Sequence, residues 1–322
     1  MKRMIRVAAT LAAAFACVVT AQAGSFPDRA INLYVPSGPG SAPDIMARVV
    51  GDALAKSIGQ PVIVENKPGA GGILMMNSLK AAKPDGYTIG LAQAAVATVT
   101  PLTYKAATYD IERDFETVGT VGMTPMIFTA SPEFPAQTLA EAIALAKANP
   151  EDVSIGNPRR TSIPHLANEL LASKTGAKFL QVPFSATTQG IQAVIGGDVK
   201  LYTDGVAPLI ALIKSGKLRA LAVAADRTLP GLEGIPLAQE TVPGLVVYGW
   251  FTIHAPKGTP TSILQRLNAE LNEALKRPEV IERFHSLGTY TQISTLAESA
   301  AYVQEQKELF GGVVKAMGLR PE

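Results

Sequence analysis

Val35-Pro36-Ser37-Gly38-Pro39-Gly40-Ser41-Ala42-Pro43-Asp44 is a strand-like run that empties into a glycine and proline turn where a helix begins. Such a junction presents free backbone N–H groups at a helix N-terminus, a ready place for an anion. Asp44 stands inside that rim, so a bulky phosphate meets a like charge there, whereas a small ligand offering a donor is welcome. The stretch points to a small-molecule site, for a carboxylate, at the opening of an α/β chain.

The pattern continues on both sides. A strand is predicted over 31–35 and a helix over 43–57, where Ile45, Met46, Val49, Val50 and Leu54 recur at helical spacing. A second strand follows over 61–65. Lys67-Pro68-Gly69-Ala70-Gly71-Gly72 then breaks the chain before a helix reaching about residue 82, and Pro84-Asp85-Gly86 turns into a strand over 87–91. Strands alternating with helices predict a largely parallel, doubly wound α/β architecture.

Two later passages echo one another. A strand over 126–130 runs into Ser131-Pro132, Pro135 and a helix opened by Thr138-x-x-Glu141 and closed before Asn149-Pro150-Glu151. A strand over 251–255 runs into Pro256, Pro260 and a helix opened by Ser262-x-x-Gln265 and closed before Arg277-Pro278-Glu279. Both openings have the form of a capping box, and proline stops both helices. Taken as passages between lobes, the two strands give a discontinuous lobe of 24–124 plus 249–322 around a middle lobe of 125–248. A repeated strand-proline-helix pattern in one larger sheet fits the spacing equally well.

The first 23 residues have a different character. Lys2, Arg3 and Arg6 precede an apolar stretch over 7–20, and Ala21-Gln22-Ala23 supplies small residues for cleavage, so 1–23 is expected to be a secretory leader and the mature chain periplasmic. Cys17, the only cysteine, falls in that leader; a lipidated Cys17 is the competing reading, but Ala14-Phe15-Ala16 is a poor lipobox. Loss of the leader removes three of 29 basic residues and none of 27 acidic ones, taking the formal charge from +2 to −1. Nothing in that balance suggests nucleic acid. A composition of 47% hydrophobic and 17% charged residues, over a length sufficient for two cores, describes a compact α/β protein.

Further candidate residues lie in Gly156-Asn157-Pro158-Arg159-Arg160-Thr161-Ser162-Ile163-Pro164-His165, another strand exit before a helix. Arg159 or Arg160 could fork onto a carboxylate with two parallel hydrogen bonds. Ser162 and His165 stand three apart at the helix start and, with Asp44 or Asp204, could be drawn as nucleophile, base and orienter of a secreted hydrolase. No G-x-S-x-G elbow accompanies them. The Gly38 to Pro43 turn lacks the third glycine of a dinucleotide fingerprint, and His165, His254 and His285 are widely separated, so neither NAD nor zinc is supported. The turns around 69–72, 93–98, 184–190 and 203–205 could each bring donors to a cleft, and Trp250 and Phe251 are expected to pack at the proposed crossing.

Several long motifs occur in one order: Phe26-Pro27-Asp28-Arg29, Val64-Glu65-Asn66-Lys67-Pro68-Gly69-Ala70-Gly71-Gly72, Pro84-Asp85-Gly86-Tyr87-Thr88, His165-Leu166-Ala167, Val182-Pro183-Phe184, Gly216-Lys217-Leu218-Arg219-Ala220-Leu221-Ala222-Val223, and Ala255-Pro256-Lys257-Gly258-Thr259-Pro260. With them the mature chain resembles, nearly end to end, the periplasmic substrate-binding proteins of tripartite tricarboxylate transporters, the Bug family. The resemblance implies a two-lobed type II periplasmic binding fold that closes on a small carboxylate and offers it to membrane transporter subunits. It also implies which loops hold the ligand: Ser37, Gly40, Ser41 and Asp44 in the first, Asn157, Thr161, Ser162 and His165 in the second, with Phe184 to Thr188 and Asp204 completing the cleft.

The departures from the family pattern bear on the ligand. Ser37 replaces a usual aromatic, Ser41 a second glycine, and Arg159 and Arg160 small residues. Two arginines suit a second anionic group, so a dicarboxylate, or a carboxylate with a remote polar group, is expected. No cofactor, metal or nucleic acid is expected, no catalysis, and a monomer. The rival readings are an orphan receptor serving a signalling partner and the Ser162/His165 hydrolase.

Overall fold

A computed structural model describes residues 26–150, 152–316, 318 and 321. The expected leader over 1–23, with Cys17, lies outside the described residues. The chain opens with β1 (Ile31–Val35), α1 (Ala42–Ile58), β2 (Val62–Asn66), α2 (Ile73–Lys80) and β3 (Thr88–Gln93), the alternation that the sequence predicts. The long β4 (Phe115–Ala130) leads to α3 (Leu139–Ala148), β5 (Ser154–Asn157), α4 (Ile163–Thr175), β6 (Leu180–Pro183), α5 (Thr187–Ile195), β7 (Leu201–Gly205) and β8 (Arg219–Val223). β9 (Tyr248–Pro256) then precedes α6 (Thr261–Leu275), α7 (Pro278–Ser286), β10 (Tyr290–Thr291) and α8 (Leu296–Ala316).

The strands lie in the order β2-β1-β3-β9-β4-β7-β5-β6, with β8 and β10 also paired to β4. β4 changes partners along its length. Residues 115–125 pair with β9, and residues 126–130 pair with β7 and β8. β1 runs parallel to β2 and β3, and β5 parallel to β6 and β7. Every pairing of β4 and β9 is antiparallel. The sheet is therefore mixed rather than largely parallel: β4 and β9 carry the chain between its two halves in opposite directions, so they cannot join the parallel helix-crossover sets that they border.

Only the last five residues of β4 are legible as a strand in the sequence. Before them Gly119, Gly122 and Pro125 have the look of turn residues, yet the ladder shifts register between Thr117 and Gly119 and again between Thr120 and Gly122. Such irregularities bend and twist a strand and draw glycine into it. A Cβ at Gly122 would overlap the Tyr290 carbonyl, where β10 comes alongside.

Of the two expected capping boxes one forms. Thr138 Oγ1 accepts the Glu141 N–H at 3.2 Å, and Glu141 Oε2 reaches back to the Gln137 N–H at 2.6 Å, one residue before the usual donor. In α6 Pro260 occupies the N-cap position and Ser262 falls inside the first turn, where it caps nothing. Pro278 ends one helix and also opens the next, α7, where its missing N–H costs no hydrogen bond.

The apolar faces of α1 and α6 meet over the first strands through Met46, Val50, Leu54, Leu264, Leu267 and Leu271, all buried. A second cluster joins Met75, Met76 and Leu79 to Phe128, Leu166 and Trp250, so it spans both halves of the sheet. Each such side chain contributes about 1.5–3 kcal/mol by leaving water. No helix among the described residues is long and apolar enough to cross a membrane.

Gly72, in the turn before α2, has φ +95°, and a Cβ there would lie 2.6 Å from Val96 Cγ2 and 3.2 Å from Pro36 Cβ. Gly72→Ala is expected to cost roughly 1–3 kcal/mol, because it combines left-handed strain with overpacking. Urea unfolding should show a lowered midpoint; an unchanged midpoint would contradict this packing.

Candidate functional site

The turn after β1 is held from behind by one carboxylate. Asp44 Oδ2 accepts the Gly40 N–H at 2.9 Å and Arg48 Nε at 3.2 Å. Its Oδ1 accepts Arg48 Nη2 and Asn66 Nδ2, both at 2.9 Å. Asn66 Nδ2 also donates to the Ser37 carbonyl at 2.8 Å, so both ends of the 37–40 turn are fixed through this group. Burial alone would raise the Asp44 pKa, but the bonds from Arg48, Asn66 and Gly40 outweigh it and hold the carboxyl below its usual value. At the helix start Ser41 leaves the α1 N–H groups uncapped by its side chain, and Ser41 Oγ donates to the Gly38 carbonyl at 2.7 Å.

After β5 the chain turns through Pro158, Arg159, Arg160 and Thr161, the last with φ +59°, uncommon for a residue with a Cβ. Ser162 is the N-cap of α4. Its Oγ accepts the His165 N–H at 3.3 Å and donates to the Arg159 carbonyl at 2.6 Å. The imidazole of His165 is buried, with Nε2 3.6 Å from Glu169 Oε1 and Nδ1 without a partner. Burial, assisted by the charge of Arg160, pushes the ring down to about 4, so it is neutral at physiological pH. The Ser162 hydroxyl proton is directed to a backbone carbonyl and the ring of His165 contacts no hydroxyl, which is not the arrangement of a nucleophile and its base.

Between these two turns lies a cavity of about 400 Å³. Residues singled out in the sequence line it: Ser37, Ser41, Arg159, Ser162 and Asp204, with Ser185, Ala186 and Thr187 of the 184–188 loop. The others stand around it. Gly40, at φ +78°, is placed so that a Cβ would come 3.5 Å from Thr188 Cγ2, and the two mark a close approach of the first turn to the start of α5. Phe184 packs on Tyr202, ring centroids 6.4 Å apart, and Asn157 is fully buried beneath the second turn. Thr161 and His165 support that turn without reaching the lining, and Arg160 is exposed, close enough to His165 and Glu169 to influence both.

Asp44 and Arg160 stand off the cavity lining. Asp44 does not reach the lining and its charge is matched by Arg48, so it presents no like charge to an anion in the cavity. Of the two arginines only Arg159 stands on the cavity lining. Its Nε and Nη2 are shut away from solvent with no hydrogen-bond partner, beside the phenols of Tyr104 and Tyr109.

Asp204 is the other charged residue on the lining, and only 5% exposed. Its Oδ1 accepts the Gly205 N–H at 2.8 Å, and its Oδ2 lies 3.2 Å from Thr187 Oγ1 and 3.3 Å from the Tyr202 hydroxyl. Burial pushes its pKa up to about 7, against the lowering effect of those three bonds. The candidate turns at Gly69-Ala70-Gly71 and Gln93-Ala94-Ala95 also border the cavity. Tyr104 is there too, with no sequence motif to reveal it, and so are Trp250 and Phe251, expected only as packing. Trp250 is fixed by Nε1 donating to Gln306 Oε1 at 3.0 Å.

Residues 46–319 match the family model described as tripartite tricarboxylate transporter family receptor. The chain belongs to this family. It is similar to protein BugT of Bordetella pertussis, 30% identical over 322 residues that make up 99% of each chain. Among solved structures it is similar to R. palustris Rpa4515 with adipate, at TM-score 0.89 and 26% identity over 92% of this chain and all of the other. It is also similar to MatC from Rhodopseudomonas palustris with bound malate, at TM-score 0.82 and 28% identity over 90% of this chain and all of the other. The fold is thus the two-lobed one of the periplasmic binding proteins.

For this family member the Asp44 tie predicts a measurable loss. Asp44→Asn keeps the shape but gives up charge-assisted bonds, and should cost about 1–3 kcal/mol at pH 7. Because the folded carboxyl is held below its unfolded value, that contribution is present above about pH 4 and is lost as the pH falls through the lower folded value. Thermal midpoints of parent and variant should therefore differ at pH 7 and converge below pH 4; a constant difference would contradict the ionised tie.

Proposed function

We propose that the protein captures a small carboxylate, dicarboxylates included, in the cavity between its two turns and delivers it to the membrane subunits of a tripartite tricarboxylate transporter. The observation that carries this reading is Arg159: a guanidinium on the cavity wall, with two nitrogens shut from water and no partner. Guanidinium nitrogens shut from water without a partner are costly, and an arginine fork matches a carboxylate. The uncapped N-terminus of α1 offers further N–H groups beside Ser37 and Ser41. Adipate and malate in the relatives of known structure support the same ligand class.

In this reading the lobes are 24–124 plus 249–322 and 125–248, and they move about β4 and β9, where the pairing changes. A ligand touching both lobes only when they are shut shifts the equilibrium toward closure, and the closed outer surface is what the transporter meets. The protein acts as a monomer in the periplasm, after removal of 1–23, and performs no chemistry. The use of Ser162 as a helix cap speaks against the hydrolase reading. A signalling receptor would share the cleft, and capture of transporter subunits with and without ligand separates the two.

Calorimetric titration of refolded protein with four- to six-carbon mono- and dicarboxylates and their hydroxy derivatives tests the reading through Arg159→Met. Removing one partner of a buried charge pair costs about 2–5 kcal/mol, so the best-binding acid should lose at least about 30-fold in affinity. Without ligand, the same variant should melt at the parent's temperature or above, since an unpaired buried cation is gone. Equal affinity in parent and variant would overturn the assignment.

A further inference from the structure

Arg159 and Asp204 are the two charged side chains on the cavity lining, and they are of opposite sign. Among the described residues no aspartate or glutamate forms an ion pair with Arg159, and no lysine, arginine or histidine forms one with Asp204. The three donors on Asp204, from Gly205, Thr187 and Tyr202, are uncharged. A fully ionised dicarboxylate satisfies Arg159 with one end but adds its second charge to a small volume already holding an uncompensated carboxylate. A ligand with a single carboxylate and a hydrogen-bond donor at its other end satisfies both walls.

We propose that Asp204 is a specificity-determining residue that selects a monocarboxylate carrying a remote hydroxyl or ammonium group over a fully ionised dicarboxylate. This rests on the carboxylate-binding reading above and narrows it. The selection acts by repulsion as well as attraction, since the wrong ligand is the one that brings a second negative end to a buried acid.

The surroundings of Asp204 leave it as the group that responds to pH. On its own strand the ionisable neighbour is Tyr202, whose buried phenol is pushed well above its ordinary value and stays neutral. Strand β5 and helix α5, and residues 126–130 of β4, contain no ionisable residue. Helix α1 brings Ala42 near Gly205, and its Asp44 is spent on Arg48 and Asn66. On the rest of the cavity lining stand Arg159 and the phenol of Tyr104. With its carboxyl lifted to about 7, Asp204 is mostly ionised at pH 8 and mostly protonated at pH 6. Protonated, it offers a donor where it had refused an anion, so a dicarboxylate binds with uptake of a proton.

The test is isothermal titration of the refolded chain with length-matched sets: succinate, 4-hydroxybutyrate and 4-aminobutyrate, and adipate, 6-hydroxyhexanoate and 6-aminohexanoate. At pH 8 the parent should bind the better hydroxy or amino acid at least tenfold more tightly than the diacid of the same length. At pH 6 the diacid should gain at least fivefold, with a heat that depends on the buffer's ionisation enthalpy because a proton is taken up. Asp204→Asn should bring diacid and hydroxy acid within threefold of one another and abolish the pH dependence. The parent's preference at pH 8, where both diacids are fully ionised, decides the matter even if the variant does not fold. A diacid preferred at pH 8, with no proton taken up at pH 6, overturns the inference while leaving the carboxylate reading standing. Failure of every acid to bind the parent overturns the carboxylate reading itself, and this inference with it.

Discussion

A single strand bound to different partners along its two halves is the constraint on which the rest of this structure depends. β4 is laddered to β9 up to Pro125 and to β7 and β8 from Met126 onward, so both halves of the sheet are anchored to one continuous backbone. That sharing places the turn after β1 opposite the turn after β5, with Thr124, Met126 and residues 249–251 at the floor between them. Backbone ladders are stiff along their length, and the irregular register at Gly119 and Gly122 and the partner change at Pro125 and Met126 are where β4 can bend most cheaply.

The two turns that face the cavity are built on opposite principles. The first is over-determined: Asp44, Arg48 and Asn66 bind its backbone from the far side, leaving the inward N–H groups free. The second is under-satisfied. Thr161 is in a left-handed conformation, Asn157 has neither amide atom paired, and Nε and Nη2 of Arg159 are shut from solvent with no hydrogen-bond partner. Unsatisfied polar groups in a low-dielectric interior cost stability, and they persist at places where a ligand supplies what is missing. Rigidity on one side and unmet need on the other describe a binding cleft better than a catalytic one.

Much of this was legible in the sequence because it is local. The sequence places β1 to the residue and α1 to within one residue at each end. The Thr138 cap and the strand-proline-helix echo were likewise visible. What escaped is what depends on partners distant in the chain. The first eleven residues of β4 show no strand pattern, since glycines that serve its bulges are the same residues that make loops. Asp44 looked like part of the rim because its tie to Asn66 spans 22 positions. Arg159 and Arg160 are neighbours in sequence and indistinguishable there; the backbone turn alone sends one into the cavity and the other to solvent. Tyr104 carried no signal at all, since nothing near it repeats or alternates.

The central claim is that the cavity recognises carboxylate charge, and the most direct measurement is the thermal midpoint of the unfolded and refolded protein with a series of carboxylic acids and their matched neutral amides. An acid present at about 100 times its Kd adds about 2.7 kcal/mol to stability, well within reach of a melting curve. The account predicts that a subset of the acids raises the midpoint while their amides leave it unchanged. Amides that raise it as much as the acids, or a correctly refolded protein that no acid stabilises, would contradict it.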